Sequence, residues 1–355
     1  MARYVETLGG RMIQPTTLLK AVFPIPFLKK PRCRCRKRDR GLYLSSVTQG
    51  FFRPQVSHRQ RGVRVAKAAA NGIHIEYETF GDSAARPILL IGGLADQLIH
   101  WDNELCRDLS ERGHYVIRFD NRDAGLSTKF DQEGVPDLGA LARGEKSPPY
   151  TLEDMADDAV GLLDALDIRK AHICGVSMGG MIAQTIATRH PSRILSLISI
   201  YSTTGSKDFP PPKPEMMERL RAPAPLERET YIEYMVDLFK AMAGPGFAFD
   251  EVWTRMITGR AYDRSFSPQG TIRQIAAIMT QTNRKKALAS VTVPTLVIHG
   301  TDDPVVPVEA GRDTAEAIPG AQLMLIEGMG HDLPHGGAWP RIVEAIAAHT
   351  WGAIA

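Results

Sequence analysis

Residues 72–81, GIHIEYETFG, alternate apolar and polar side chains, the period of a strand with one buried face. Residues 87–93, PILLIGG, instead form an unbroken apolar run closed by glycines, as in a strand covered on both sides. The same reading predicts strands over 115–120 (YVIRFD), 171–175 (AHICG), 193–200 (RILSLISI), 294–300 (PTLVIHG) and 321–327 (AQLMLIE). Between them the period lengthens to that of a helix. Trp101, Leu105 and Leu109 recur every four residues, which puts one apolar face on a helix over 101–112. Residues 150–168 form a longer amphipathic segment. Thr151 is placed to cap it, and Glu153 and Asp154 fall in the first turn, where acidic charge suits the helix dipole. Further helices are predicted over 178–191, ended by Pro191, over 308–318 and near 340–350.

Strands alternating with helices predict a mostly parallel sheet wrapped on both faces, with antiparallel strands at its N-terminal end. The alternation stops between about 203 and 287. There a Pro-rich stretch, DFPPPKPEMM, leads into helical patterns such as RETYIEYMVDLFKAM and GTIRQIAAIMTQT. An all-helical insert in an α/β series reads as a cap over the strand ends. The predicted organisation is a core of 67–202 and 288–355, a helical cap of 203–287, and an N-terminal extension of 1–66.

Charge separates that extension from the rest. Residues 1–66 hold fifteen Lys and Arg against two acids, Glu6 and Asp39, and five prolines. This composition suits a disordered segment. An upstream extension from a misassigned start codon, with Val63 or Val65 near the true start, fits it too; so do an organellar transit peptide and a basic arm. The apolar stretch LLKAVFPIPFL is interrupted by Lys20 and two prolines, so it makes a poor secretory signal. The remaining residues are net acidic, which offers no broad basic face for nucleic acid. No apolar run approaches the ~18 residues of a membrane-spanning helix, so no stable membrane insertion is expected. Cys33 and Cys35 lack a second pair at zinc-finger spacing, and Cys174 sits on an apolar strand as a small core residue. With no disulfide framework, a reducing, cytoplasmic setting is expected.

Chemistry concentrates in three places. Gly175-Val176-Ser177-Met178-Gly179 is a G-x-S-x-G between a predicted strand and a predicted helix, the context that makes Ser177 a candidate nucleophile. A serine hydroxyl needs a base, and the base needs an orienting acid. Asp303 is the candidate acid, in the loop after the strand 294–300, because Pro304 favours an extended backbone before it. Asp302 beside it and Asp208 after the strand 193–200 are the alternatives. His331 is the candidate base, following the last strand through a glycine-rich loop, with His335 as competitor. The amide of Met178, the residue after the nucleophile, is one candidate oxyanion donor. The second is the amide of Leu94 in GGLADQ, with Gly93 one step away.

Taken in order, IGGLADQLIHW, RFDNRDAGLS, GVSMGG, HGTDDPVVP and GMGHDLP resemble the α/β-hydrolase superfamily over about residues 70–350. The RFDNRDAGLS loop and the placement of Trp101 look most like bacterial carboxylesterases of the aclacinomycin methylesterase type. The resemblance implies an eight-stranded sheet with a helical cap after the sixth strand. It also implies hydrolysis of a small or medium ester, methyl esters included, through an acyl-enzyme with no cofactor and no metal. Carried over, Ser177 matches the nucleophile, Asp303 the acid, His331 the base, and Leu94 and Met178 the oxyanion donors. Gly92 departs from the family, where many members have His before the glycine of the oxyanion loop. Asp120, Arg122 and Asp123 are expected to brace the loop beside the site. Lactonase and cofactor-free perhydrolase or haloperoxidase-like chemistry use the same triad, and a non-catalytic ligand-binding protein on this fold is a further alternative.

Overall fold

The computed structural model describes residues 64–353 apart from residue 336. Nearly all of the expected extension, with Cys33 and Cys35, lies outside the described residues. Eight strands form one sheet: β1 (Arg64–Ala70), β2 (Ile73–Phe80), β3 (Arg86–Ile91), β4 (His114–Phe119), β5 (Ala171–Val176), β6 (Ile194–Ile200), β7 (Thr295–Gly300) and β8 (Gln322–Ile326). Their spatial order is β1-β2-β4-β3-β5-β6-β7-β8. β1 and β2 pair antiparallel, as do β2 and β4; every later pairing is parallel. This is the eight-stranded, mostly parallel sheet that the resemblance implies.

The helices are α1 (Asn103–Glu111), α2 (Leu138–Ala142), α3 (Leu152–Ala165), α4 (Met178–Arg189), α5 (Pro214–Arg221), α6 (Arg228–Met242), α7 (Glu251–Arg264), α8 (Pro268–Met279), α9 (Lys285–Leu288), α10 (Val308–Ala317) and α11 (Trp339–Gly352). Local chemistry sets the ends of several. Asp102 caps α1 through the Glu104 N–H, and Thr151 and Asp154 form a reciprocal capping box on α3.

The pleat of the sheet divides the core into two apolar layers. Leu89 and Ile91 of β3 pack with α3 and α4, whereas Ile88 and Leu90 of the same strand pack with α1 and α11. A strand buried on both faces needs apolar side chains at every position, which is why β3 reads as a continuous run. Helices α5–α9 fall between β6 and β7, where the predicted alternation stops. Among the described residues, no helix is long and apolar enough to cross a membrane.

Strand order places the chemistry. From β3 the chain crosses to β4 on one side and then returns to β5 on the other. The loops leaving β3 and β5 therefore diverge, opening a crevice at the carboxyl ends of the strands, the usual ligand position in open α/β sheets.

Candidate active site

Ser177 stands in that crevice, on the turn from β5 into α4. Its φ of 51° and ψ of −117° are strained for a residue with a side chain. Its N–H donates to Ile200 O (3.0 Å), and its carbonyl accepts from Gly180 N–H (2.9 Å) and Ser202 Oγ (2.8 Å). Those bonds hold the turn, and the side chain remains partly exposed. The glycine at 175 is a steric requirement: a Cβ there would overlap the carbonyl oxygen of Gly179, across the turn.

His331 Nε2 lies 2.9 Å from Ser177 Oγ, and His331 Nδ1 lies 2.7 Å from Asp303 Oδ2. His331 is only 7% exposed and Asp303 8%. The other Asp303 oxygen accepts the N–H groups of Val305 and Val306, both at 2.8 Å. Burial pushes the Asp303 carboxyl up, but His331 and His299 beside it hold it well below the usual carboxylate range. The Tyr201 ring packs on the imidazole of His331, with centroids 4.7 Å apart. The His331 N–H donates to Met242 O at the end of α6 (2.9 Å), so the insert also holds this loop.

The alternatives lie elsewhere. Asp302 is exposed and accepts from Thr301 Oγ1 (2.7 Å). Asp208 is exposed and bonded to Ser206. His335 packs between the rings of Trp253 and Trp339.

The loop after β3 lies against the serine, close enough that a Cβ on Gly93 would stand 3.4 Å from Ser177 Cβ. The Gly93 N–H is taken by Asp96 Oδ2 (2.8 Å), and the Ala95 N–H by Gln274 Oε1 (2.8 Å). Among the described residues, neither the Leu94 amide nor the Met178 amide has an acceptor within the protein. Gly92, where the family often has His, uses its carbonyl to accept from Asn121 Nδ2 (3.2 Å).

Asp120, Arg122 and Asp123 form the loop's frame. Asp120 accepts from the Leu98 and Leu126 amides, both at 2.7 Å, and pairs with Arg264 of α7 (2.8 Å). Arg122 makes a two-point contact with Asp158. Asp123 makes another with Arg273 of α8, both bonds 2.8 Å, and accepts from the Tyr150 hydroxyl. Burial raises the Asp123 carboxyl, yet Arg273, Phe130 N–H and Tyr150 together bring it below its ordinary value.

Asp102, Glu104 and His335 have ligand atoms within 4.8 Å of one another and could hold a cation. Both Asp102 oxygens are already engaged, by the Glu104 N–H and by Trp253 Nε1.

Sequence reasoning missed Asp96, Tyr201 and Gln274. Asp96 carried a local signal, an aspartate three residues after the glycine whose N–H it accepts. Tyr201 and Gln274 reach the site from other elements and carried none.

The profile of the α/β hydrolase fold family matches residues 86–338. The rhodomycin D methylesterase of Streptomyces sp. (strain C5) is 32% identical over 295 residues, 77% of this chain and 93% of that enzyme. The non-heme chloroperoxidase of Streptomyces lividans is 28% identical over 289 residues, 75% of this chain and 91% of its own length. Among solved structures, the enol-lactonase from Burkholderia xenovorans LB400 superposes with a TM-score of 0.60 at 22% identity, covering 81% of this chain and 99% of the lactonase, a likeness of fold. By its sequence match and its strand order, the chain belongs to the α/β-hydrolase fold family.

Proposed function

We propose that this protein is a serine carboxylic-ester hydrolase that works through an acyl-enzyme on Ser177. The observation that carries the reading is the aligned series Ser177 Oγ, His331 and Asp303, at 2.9 and 2.7 Å, with His331 and Asp303 buried behind the partly exposed serine. In this mechanism Ser177 Oγ attacks the ester carbonyl carbon while His331 Nε2 takes its proton. Asp303 holds the imidazole by Nδ1 and stabilises the charge that forms on it. The Leu94 and Met178 amides donate to the developing oxyanion. His331 then protonates the departing alcohol, leaving the acyl group on Ser177. Water, deprotonated by His331, attacks that ester in the second half-cycle, and His331 returns the proton to Ser177 Oγ as the acid leaves. No step calls for a cofactor.

A small or medium ester is the proposed substrate, and a methyl ester is favoured by the likeness to the rhodomycin D methylesterase. A lactone would enter the same cycle, its alcohol staying tethered to the acyl group. The likeness to the chloroperoxidase favours a second reading, in which hydrogen peroxide replaces water and a peracid leaves.

Hydrolysis of short-chain p-nitrophenyl esters, with stoichiometric labelling of Ser177 by a fluorophosphonate, is the expected result. Ser177→Ala should remove both. A well-folded wild-type protein that takes no label would defeat the proposal. Methyl esters, lactones, and carboxylates with peroxide, tested side by side, separate the readings.

A further inference from the structure

We propose that Gln274, a residue of the helical insert, is a positioning residue for the Leu94 oxyanion donor. The inference rests on the esterase reading above. Three consecutive amides of the loop after β3 are used differently. The Gly93 N–H goes to Asp96 Oδ2 and the Ala95 N–H to Gln274 Oε1, both at 2.8 Å. The Leu94 amide between them has no acceptor among the described residues. The peptide planes on either side of it are thereby fixed, and the Gly93–Leu94 peptide between them is held further by the Asp96 N–H, which donates to Gly93 O at 3.3 Å. Ala95 has a φ of 61°, a conformation that side chains other than glycine's rarely adopt without support. The bond to Gln274 supplies that support.

Gln274 is itself held firmly. It is 1% exposed, and its Nε2 donates to the Arg122 carbonyl at 2.8 Å. An acceptor toward Ala95 N–H and a donor toward Arg122 O permit one orientation of the amide. The Arg122 guanidinium is tied to Asp158 (2.6 and 2.7 Å), and the neighbouring Arg273 fixes α8 against Asp123. A line of bonded groups thus runs from the core through the insert to the oxyanion loop. Gln274 touches no reacting atom in this scheme; it acts through Leu94.

An oxyanion donor is worth about 10²–10³ in turnover, and displacement by about 1 Å of a positioned group can cost about 10²-fold. Gln274→Met keeps the volume and removes the acceptor. It should lower kcat by about 10-fold or more with little change in KM. The affinity of a boronic acid that forms a tetrahedral adduct on Ser177 should fall in parallel. Gln274→Asn, which withdraws the acceptor by one methylene, serves as the second variant should Gln274→Met fail to fold.

A folded Met or Asn variant with unchanged kcat and boronate affinity overturns the proposal. A wild-type protein that neither hydrolyses esters nor takes a fluorophosphonate sinks the esterase reading itself. Active wild type with indifferent Gln274 variants sinks only this inference.

Discussion

Asp302 and Asp303 are adjacent in the chain and identical in chemistry, and their surroundings part them. Asp302 is exposed and meets a threonine hydroxyl. Asp303 accepts two backbone N–H bonds on one oxygen and faces His331 Nδ1 with the other. A carboxylate so held stays ionised and keeps a proton on the imidazole nitrogen it faces, leaving Nε2 free to accept one from Ser177. An amide in its place loses the charge and can select the opposite tautomer. Asp303→Asn should therefore lower kcat on a p-nitrophenyl ester by about 10⁴-fold, as loss of the orienting acid does in triads generally. Asp302→Asn should leave it almost unchanged. If the two variants lose activity equally, Asp303 is not the orienting acid.

Glycines in EGMGHD are visible in the sequence, and they suggest a loop free to bend toward the serine. The structure gives a second reason. The stretch after α6, Ala243–Gly246, runs backbone against backbone along the loop from β8, with Gly246 N–H donating to Gly328 O at 2.8 Å. A Cβ on Gly244 would land among the main-chain atoms of residues 328–330. Gly244→Ala should cost about 1–3 kcal/mol of stability by overpacking and lower kcat by moving His331. Gly352→Ala, with open space around it, is the control. Urea unfolding and ester turnover measure the two effects, and an unperturbed Gly244 variant would show that the two segments do not pack so closely. No periodicity announces such a contact, because its halves are far apart in the chain. The same limit governs other elements. β3 and β5 are legible as apolar runs because both their faces are covered. β1, RVAKAAA, is an edge strand of small and charged residues with no large apolar side chain to mark it. In α7 the buried positions are Thr254, Ile257, Thr258, Gly259 and Ala261, mostly small or polar, so its apolar face is faint. The triad candidates were legible because each follows a strand in a turn-rich motif. Gln274 was not, since its partner is a backbone amide in another element.

The whole molecule divides its polar groups by end. The carboxyl ends of the strands carry the serine, its partners and the ion pairs that fasten the insert, Arg273 with Asp123 and Arg264 with Asp120. Toward the opposite ends lie His114 at the start of β4 and His172 near the start of β5, both fully buried, with ring centroids 6.4 Å apart. His114 bonds Leu109 O and Thr350 Oγ1, and His172 bonds Ser196 Oγ. No carboxylate pairs with either ring among the described residues. Burial lowers both, and His172, with further opposition from His114, Arg86 and His349, falls to about 3. An unfolded histidine takes up its proton near pH 6.5, whereas native His172 stays neutral until about pH 3. Below pH 6.5 the unfolded chain therefore binds more protons, and stability falls as pH falls, by up to about 1.4 kcal/mol per pH unit for each such group. Asp332, pushed up to about 6 by burial, works in the opposite sense between its ordinary value and that pH, so total acid sensitivity is a balance. Comparing His172→Asn with wild type isolates the histidine. Between pH 6.5 and 4.5 the variant should lose less stability than wild type, by up to about 2–3 kcal/mol in urea unfolding. Above pH 7 the two curves should run parallel. Equal slopes on the acid side would mean that His172 is protonated in the native protein, with a counter-charge drawn in beside it.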